Sequence, residues 1–103
     1  DDILPMLKRV ADALQDTPGT IMVSGHTDDQ PINSARFRSN WELSTDRAVS
    51  VIQRLEAFGS IEANRLTAVG YGDTRPLVPN NTPENRARNR RVEIAIVREE
   101  SSE

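Results

Sequence analysis

Residues 20–28 read Thr-Ile-Met-Val-Ser-Gly-His-Thr-Asp, and the fold is decided here. Ile21-Met22-Val23 is a short apolar run followed by Gly25-His26-Thr27-Asp28, the pattern of a buried strand that ends in a polar loop. On the amino-terminal side, Ile3, Leu4, Leu7, Val10, Ala11 and Leu14 recur at helical spacing between charged residues, which predicts a helix from Asp1 to Leu14. Asp1 and Asp2 suit the positive end of its dipole, and Asp16-Thr17-Pro18-Gly19 stops it.

On the carboxyl-terminal side, residues 29–39 are polar and irregular, with Pro31 among them. A second helix is expected from Ser39-Asn40 to about Phe58, ended by Gly59. Ser39 or Asn40 caps it, and Glu42 completes a capping box with Ser39. Its apolar stripe is Trp41, Ala48, Val51, Ile52 and Leu55. Leu66 to Val69 reads as a second strand that opens into Gly70-Tyr71-Gly72-Asp73. After a Pro- and Asn-containing loop, Pro83-Glu84 starts a short helical turn. Val92 to Val97 alternates as a last strand. The order helix, strand, helix, strand, turn, strand predicts an α/β (α+β) sandwich, a small mixed β-sheet with helices packed on one face. The 103 residues leave room for one core, so residues 1–98 are expected as one domain and 99–103 as a disordered tail.

Composition removes several classes of function. Thirteen Lys and Arg stand against sixteen Asp and Glu, a net charge of −3, and the arginines are interleaved with acids. A nucleic-acid domain carries a basic footprint, so no nucleic-acid partner is expected. Without cysteine there is no disulfide, thiolate–zinc site or thiol catalysis. No stretch approaches the roughly 18 to 20 apolar residues of a membrane span.

Catalysis finds little support. His26 is the only histidine. Ser24 shares its strand face but sits about 6 to 7 Å away, too far for a hydrogen-bonded relay. No nucleophile elbow is present, and a lone histidine makes no metal site. No enzyme activity, cofactor or metal is expected.

A polar cluster suited to binding remains. At 100° per residue, Asn40, Leu43 and Arg47 share one flank of the second helix, beside the core stripe. Thr27-Asp28 lies at the carboxyl end of the preceding strand, where ligands of open α/β sheets bind. An Asp and an Arg facing one crevice suit a ligand with both an ammonium and a carboxylate. From spacing alone the commoner reading of the same two residues is an internal salt bridge that staples loop to helix. Trp41 reads as core or as a lid on this site, and Tyr71 as a packed strand end or crevice lining. Arg86, Arg88, Arg90 and Arg91 read as caps and ion pairs.

Four runs in this order resemble the OmpA-like peptidoglycan-binding domain over residues 21 to 97. They are Gly25-His26-Thr27-Asp28; Asn40-x-x-Leu43-Ser44-x-x-Arg47-Ala48-x-x-Val51-x-x-x-Leu55; Gly70-Tyr71-Gly72; and Asn89-Arg90-Arg91-Val92-Glu93-Ile94. The resemblance implies a non-catalytic periplasmic module that holds the meso-diaminopimelate of uncrosslinked stem peptides. It implies a site at Asp28 and Arg47, with Thr27, Asn40 and Leu43 beside them and Arg90 or Arg91 reaching the peptide. Asp29-Gln30-Pro31-Ile32 and Ser39-Asn40-Trp41-Glu42-Leu43-Ser44 resemble the version found in flagellar motor stator B subunits. Some type VI secretion membrane components carry a similar stretch. The stator resemblance implies a homodimer anchored in the inner membrane, with a stator A subunit met through a membrane segment not contained in this sequence. An envelope protein-interaction module of the same fold is the alternative. The family has a strand before its first helix, whereas this sequence opens at the helix, so the expectation is either that this strand is missing from the sequence at its amino terminus or that an edge of the sheet is left open.

Overall fold

The central strand, β1 (Thr20–His26), is buried along nearly its whole length because it has a neighbour on each side. The computed structural model describes residues 3–58 and 61–98, and these form a three-stranded sheet in the order β2-β1-β3. β2 (Leu66–Gly70) runs parallel to β1, with Ile21 opposite Leu66 and Gly25 opposite Gly70. β3 (Arg91–Val97) runs antiparallel, with Thr20 opposite Val97 and His26 opposite Arg91. The sheet is therefore mixed, as expected. β1 is longer than its apolar run suggests: Ser24, Gly25 and His26 belong to the ladder, and their burial comes from flanking strands rather than from hydropathy.

A parallel pair needs a crossover, and α2 (Asn40–Ala57) supplies it. Ser39 caps it by accepting the Glu42 amide, where the sequence places the cap, but the Glu42 carboxylate accepts the Arg38 amide at 2.9 Å, one residue before the cap, so the reciprocal bond of a capping box is not made to Ser39. Gly59 lies outside the described residues, as do Asp1, Asp2 and the tail 99–103. α1 (Ile3–Gln15) packs Leu7, Ala11 and Leu14 into a core completed by Ile21, Val23, Ala48, Leu55 and Ile61. Its carboxyl end is satisfied from a distance. Arg65, in a 3-10 turn over Ala63–Arg65, donates to the carbonyls of Leu14, Thr17 and Gly19. The turn expected at Pro83 is a full short helix, α3 (Pro83–Asn89), started by Pro83 at its first turn and capped by Thr82.

Two glycines set how α2 sits. A methyl group on Gly25 would lie 1.9 Å from the Ser44 carbonyl oxygen, and one on Gly70 would lie 2.0 Å from Thr45 Oγ1. The strand ends are bare so that the backbone of the first turns of α2 can rest on them. Trp41 consequently overshoots the sheet. It is 55% exposed and lies against Gly72 rather than in the core, a correction to its place in the apolar stripe.

Candidate functional site

Where β1 runs out, Thr27 and Asp28 remain buried. The Thr27 amide donates to the Gly72 carbonyl at 2.9 Å and the Tyr71 amide donates to the Gly25 carbonyl at 3.0 Å, so the two strand ends stay paired beyond the sheet. Asp28 has a partner on each oxygen. Oδ1 accepts the Gln30 amide at 3.0 Å, a local turn, and Oδ2 accepts from Arg90 Nη1 at 2.6 Å. Arg86, one helical turn before Arg90, donates from Nε to Asp29 Oδ1 at 3.2 Å. Both acids of the loop are thus held from α3 and its carboxyl cap.

The staple between Asp28 and Arg47 allowed by the sequence does not form, because Arg90 occupies the position it would need. Arg47 is half-buried, and among the described residues no acid lies within ion-pair distance of it. Its direction follows from Asn40, two turns earlier on the same flank. Asn40 Nδ2 donates to the Gln30 carbonyl at 3.1 Å, so this flank faces the loop that carries Asp28. Leu43, also half-buried, lies between them on that flank. The Asn40 Oδ1 atom is buried and has no partner, an acceptor available to an incoming N–H.

Asp28, Asn40 and Arg90 are therefore linked by one chain of hydrogen bonds through Gln30, and the Thr27 hydroxyl joins it by donating to the Asp28 carbonyl at 2.8 Å. Arg91 is not. Opposite His26 on β3, it donates to Glu93 Oε2 at 2.6 Å and to the carbonyls of Asn89 and Arg75. Arg90 caps the carboxyl end of α3 whereas Arg91 is the first residue of β3, so the two arginines meet different partners, which the sequence reading left open. Beside the cluster lies a groove of about 310 Å³, lined by Asp29, Pro31, Ile32, Arg38, Ser39, Asn40, Trp41 and Asp73. A larger hollow of about 520 Å³ lies at the other end of the sheet, where Arg65 is already engaged by three carbonyls.

His26 stands apart from the cluster although it is adjacent in sequence. It is 3% exposed, stacks on Tyr71 with centroids 5.2 Å apart, and neither ring nitrogen has a hydrogen-bond partner. The Arg75 guanidinium lies over the Tyr71 ring, 4.4 Å from its centroid. Burial lowers the His26 pKa below its ordinary value, aided by Arg91 and Arg75 and opposed by Glu93, whose Oε2 is 3.9 Å from Nε2. The Arg91 hydrogen bond in turn holds the Glu93 carboxyl below its usual range. A neutral imidazole in this setting is a packing element.

Two contributors escaped the sequence reading. Gln30 was passed over as loop, and Ser44 as a motif residue without a role. Ser44 is fully buried, and its position in the middle of the core face of α2 was the available signal. Among the described residues no three His, Cys, Asp or Glu side chains converge as a metal site, and no helix is long and apolar enough to cross a membrane.

The family whose pattern matches residues 3–90 is the OmpA family. Motility protein B of Bacillus subtilis is 40% identical over 95 residues, covering 91% of this chain but only 36% of that protein. The C-terminal domain of Helicobacter pylori MotB (residues 125–256) superposes with a TM-score of 0.88 at 37% identity, over 97% of this chain and 76% of that one. The cell wall anchor of the T6SS from Pseudomonas aeruginosa superposes with a TM-score of 0.85 at 46% identity, over 96% and 68% of the respective chains.

Proposed function

Because the chain belongs to the OmpA family, we propose that it binds peptidoglycan without cutting it, as a wall-anchoring domain over residues 1–98. The ligand is the meso-diaminopimelate side chain of an uncrosslinked stem peptide. Its ammonium sits against the carboxylate of Asp28, and its carboxylate is held by the guanidinium of Arg47. Thr27, Asn40, Leu43 and Arg90 line the same pocket. Arg91, engaged by Glu93 and two carbonyls, braces β3 instead.

The observation that carries this reading is the mismatch in charge pairing. Asp28 is buried and already paired with Arg90, with acceptor capacity left on each oxygen, while the half-buried Arg47 has no acid among the described residues. A partly desolvated guanidinium without an anion is costly, and a ligand carboxylate relieves that cost.

At the level of the parent protein, the relatives above include MotB and a T6SS cell wall anchor. We infer an anchor on the periplasmic side, in a homodimeric stator B subunit that meets its A subunit through a membrane segment. The wall-binding domain of a secretion component is the second reading, supported by the 46% identity to the T6SS anchor.

A pull-down with purified sacculi tests wall binding. The domain should co-sediment, and Arg47→Ala should weaken binding by about thirtyfold, equivalent to about 2 kcal/mol, with its far-UV circular dichroism unchanged. A domain that stays in the supernatant would remove the reading and favour a protein-interaction module.

A further inference from the structure

Ser44 is fully buried, and its hydroxyl ties together the elements that carry Arg47 and Asp28. Its Oγ donates to the Trp41 carbonyl at 3.1 Å within α2 and accepts the Gly72 amide at 2.9 Å from the loop after β2. The Gly72 carbonyl in turn accepts the Thr27 amide at 2.9 Å, one residue from Asp28. A continuous chain of bonds therefore runs from the helix that carries Arg47, through Ser44 and Gly72, to the loop that carries Asp28.

The surroundings leave this hydroxyl no substitute. Ser44 is 0% exposed, Gly72 is buried, and the Gly72 φ of +60° aims its amide in a direction that a residue with a side chain rarely adopts. Water does not reach the Gly72 amide, so losing the hydroxyl orphans it. Thr45 provides an internal comparison. Its Oγ1 also donates to the Trp41 carbonyl, at 2.8 Å, but makes no bond to the 70–72 loop.

Building on the peptidoglycan reading above, we propose that Ser44 is a positioning residue that sets the span between Asp28 and Arg47, and with it the choice of a ligand whose ammonium and carboxylate are a fixed distance apart. Two-point recognition depends on that distance more steeply than either contact depends on its own strength. A pocket without the strut still attracts a cation or an anion but loses its preference for a group that carries both.

The experiment compares Ser44→Ala with Thr45→Ala by two readouts. The first is the ratio of dissociation constants for matched soluble stem peptides bearing lysine or diaminopimelate. The second is amide hydrogen exchange, read at Thr27 against Ile21 and Val23 in the strand that precedes it. For Ser44→Ala the ratio should fall at least fivefold, and Thr27 should exchange about tenfold faster while Ile21 and Val23 keep their protection. Thr45→Ala should leave both readouts as in the wild type.

Ser44→Ala with an unchanged ratio, or with Thr27 still protected, overturns the proposal. So does uniform acceleration of all three amides with equal weakening of both peptides, which is plain destabilisation. If the alanine variant fails to fold, Ser44→Cys replaces it. A thiol is a weak acceptor, so the ratio should still drop, and a folded cysteine variant with the full wild-type ratio refutes the strut. A wild-type domain that binds neither peptide defeats the peptidoglycan reading instead, while exchange at Thr27 still reports on Ser44.

Discussion

Replacing His26 by phenylalanine should make the domain less sensitive to acid. The imidazole is 3% exposed, and both nitrogens lack partners, so it is buried in its neutral form. Its pKa is lowered, first by desolvation, then by Arg91 and Arg75 against the opposing Glu93. As pH falls through about 6.5 the unfolded chain takes up a proton that the folded chain resists, so the folded state loses stability. One proton of difference gives a slope of at most about 1.4 kcal/mol per pH unit. Between pH 6.5 and 5.0 the loss is therefore bounded at about 2 kcal/mol. Phenylalanine keeps a ring against Tyr71 and removes an unbonded polar group, so it should be neutral or mildly stabilising at pH 7.5. Urea denaturation of both proteins at pH 7.5 and 5.0 reads this difference. Stopping at pH 5.0 keeps Glu93 out of the comparison, because its lowered pKa places its own loss of stability further into acid. The expected result is a wild-type midpoint that falls on acidification while the variant's midpoint falls less. Equal losses in the two proteins would refute a buried neutral imidazole.

Leu55 is fully buried in the core, so Leu55→Ala should cost about 2–5 kcal/mol, seen as a lower urea midpoint with an unchanged slope. Asn89 is also fully buried. Its amide accepts from the Leu77 and Val78 amides and donates to Val78 O and Asn80 Oδ1. Asn89→Ala leaves those groups unpaired, and amide exchange of Leu77 and Val78 should rise well before the domain unfolds globally. Sacculi incubated with the domain should release no muropeptides by chromatography, since His26 has neither a hydrogen-bonded nucleophile nor an orienting acid.

Much of the architecture was legible because periodicity and caps are local. The stripe from Ala48 to Leu55, the Ser39 cap and the alternation of Val92, Ile94 and Ile96 all appear in place. Trp41 misled because a helical wheel gives an angle but no position along the axis, and the helix begins one turn beyond the sheet that would bury it. The burial of the polar half of β1 was less visible for a related reason: Ser24 and His26 pair with strand residues 45 or more positions away in sequence. The partner of Asp28 was equally out of reach. Spacing within α2 made Arg47 the candidate, whereas the bond that forms spans 62 positions, to Arg90. Only the family resemblance linked those distant segments, and it did so without saying which arginine turns inward.

Titration calorimetry with matched soluble stem peptides, one bearing meso-diaminopimelate and one bearing lysine at the same position, tests two-point recognition most directly. Lysine retains the ammonium for Asp28 but leaves Arg47 facing the ligand without an anion, so discrimination should exceed the loss of one contact. At one fixed salt concentration, because exposed ion pairs are screened, the diaminopimelate peptide should bind tighter by about thirtyfold or more. Equal affinities for the two peptides would contradict recognition by Asp28 and Arg47, even if the domain still sedimented with the wall.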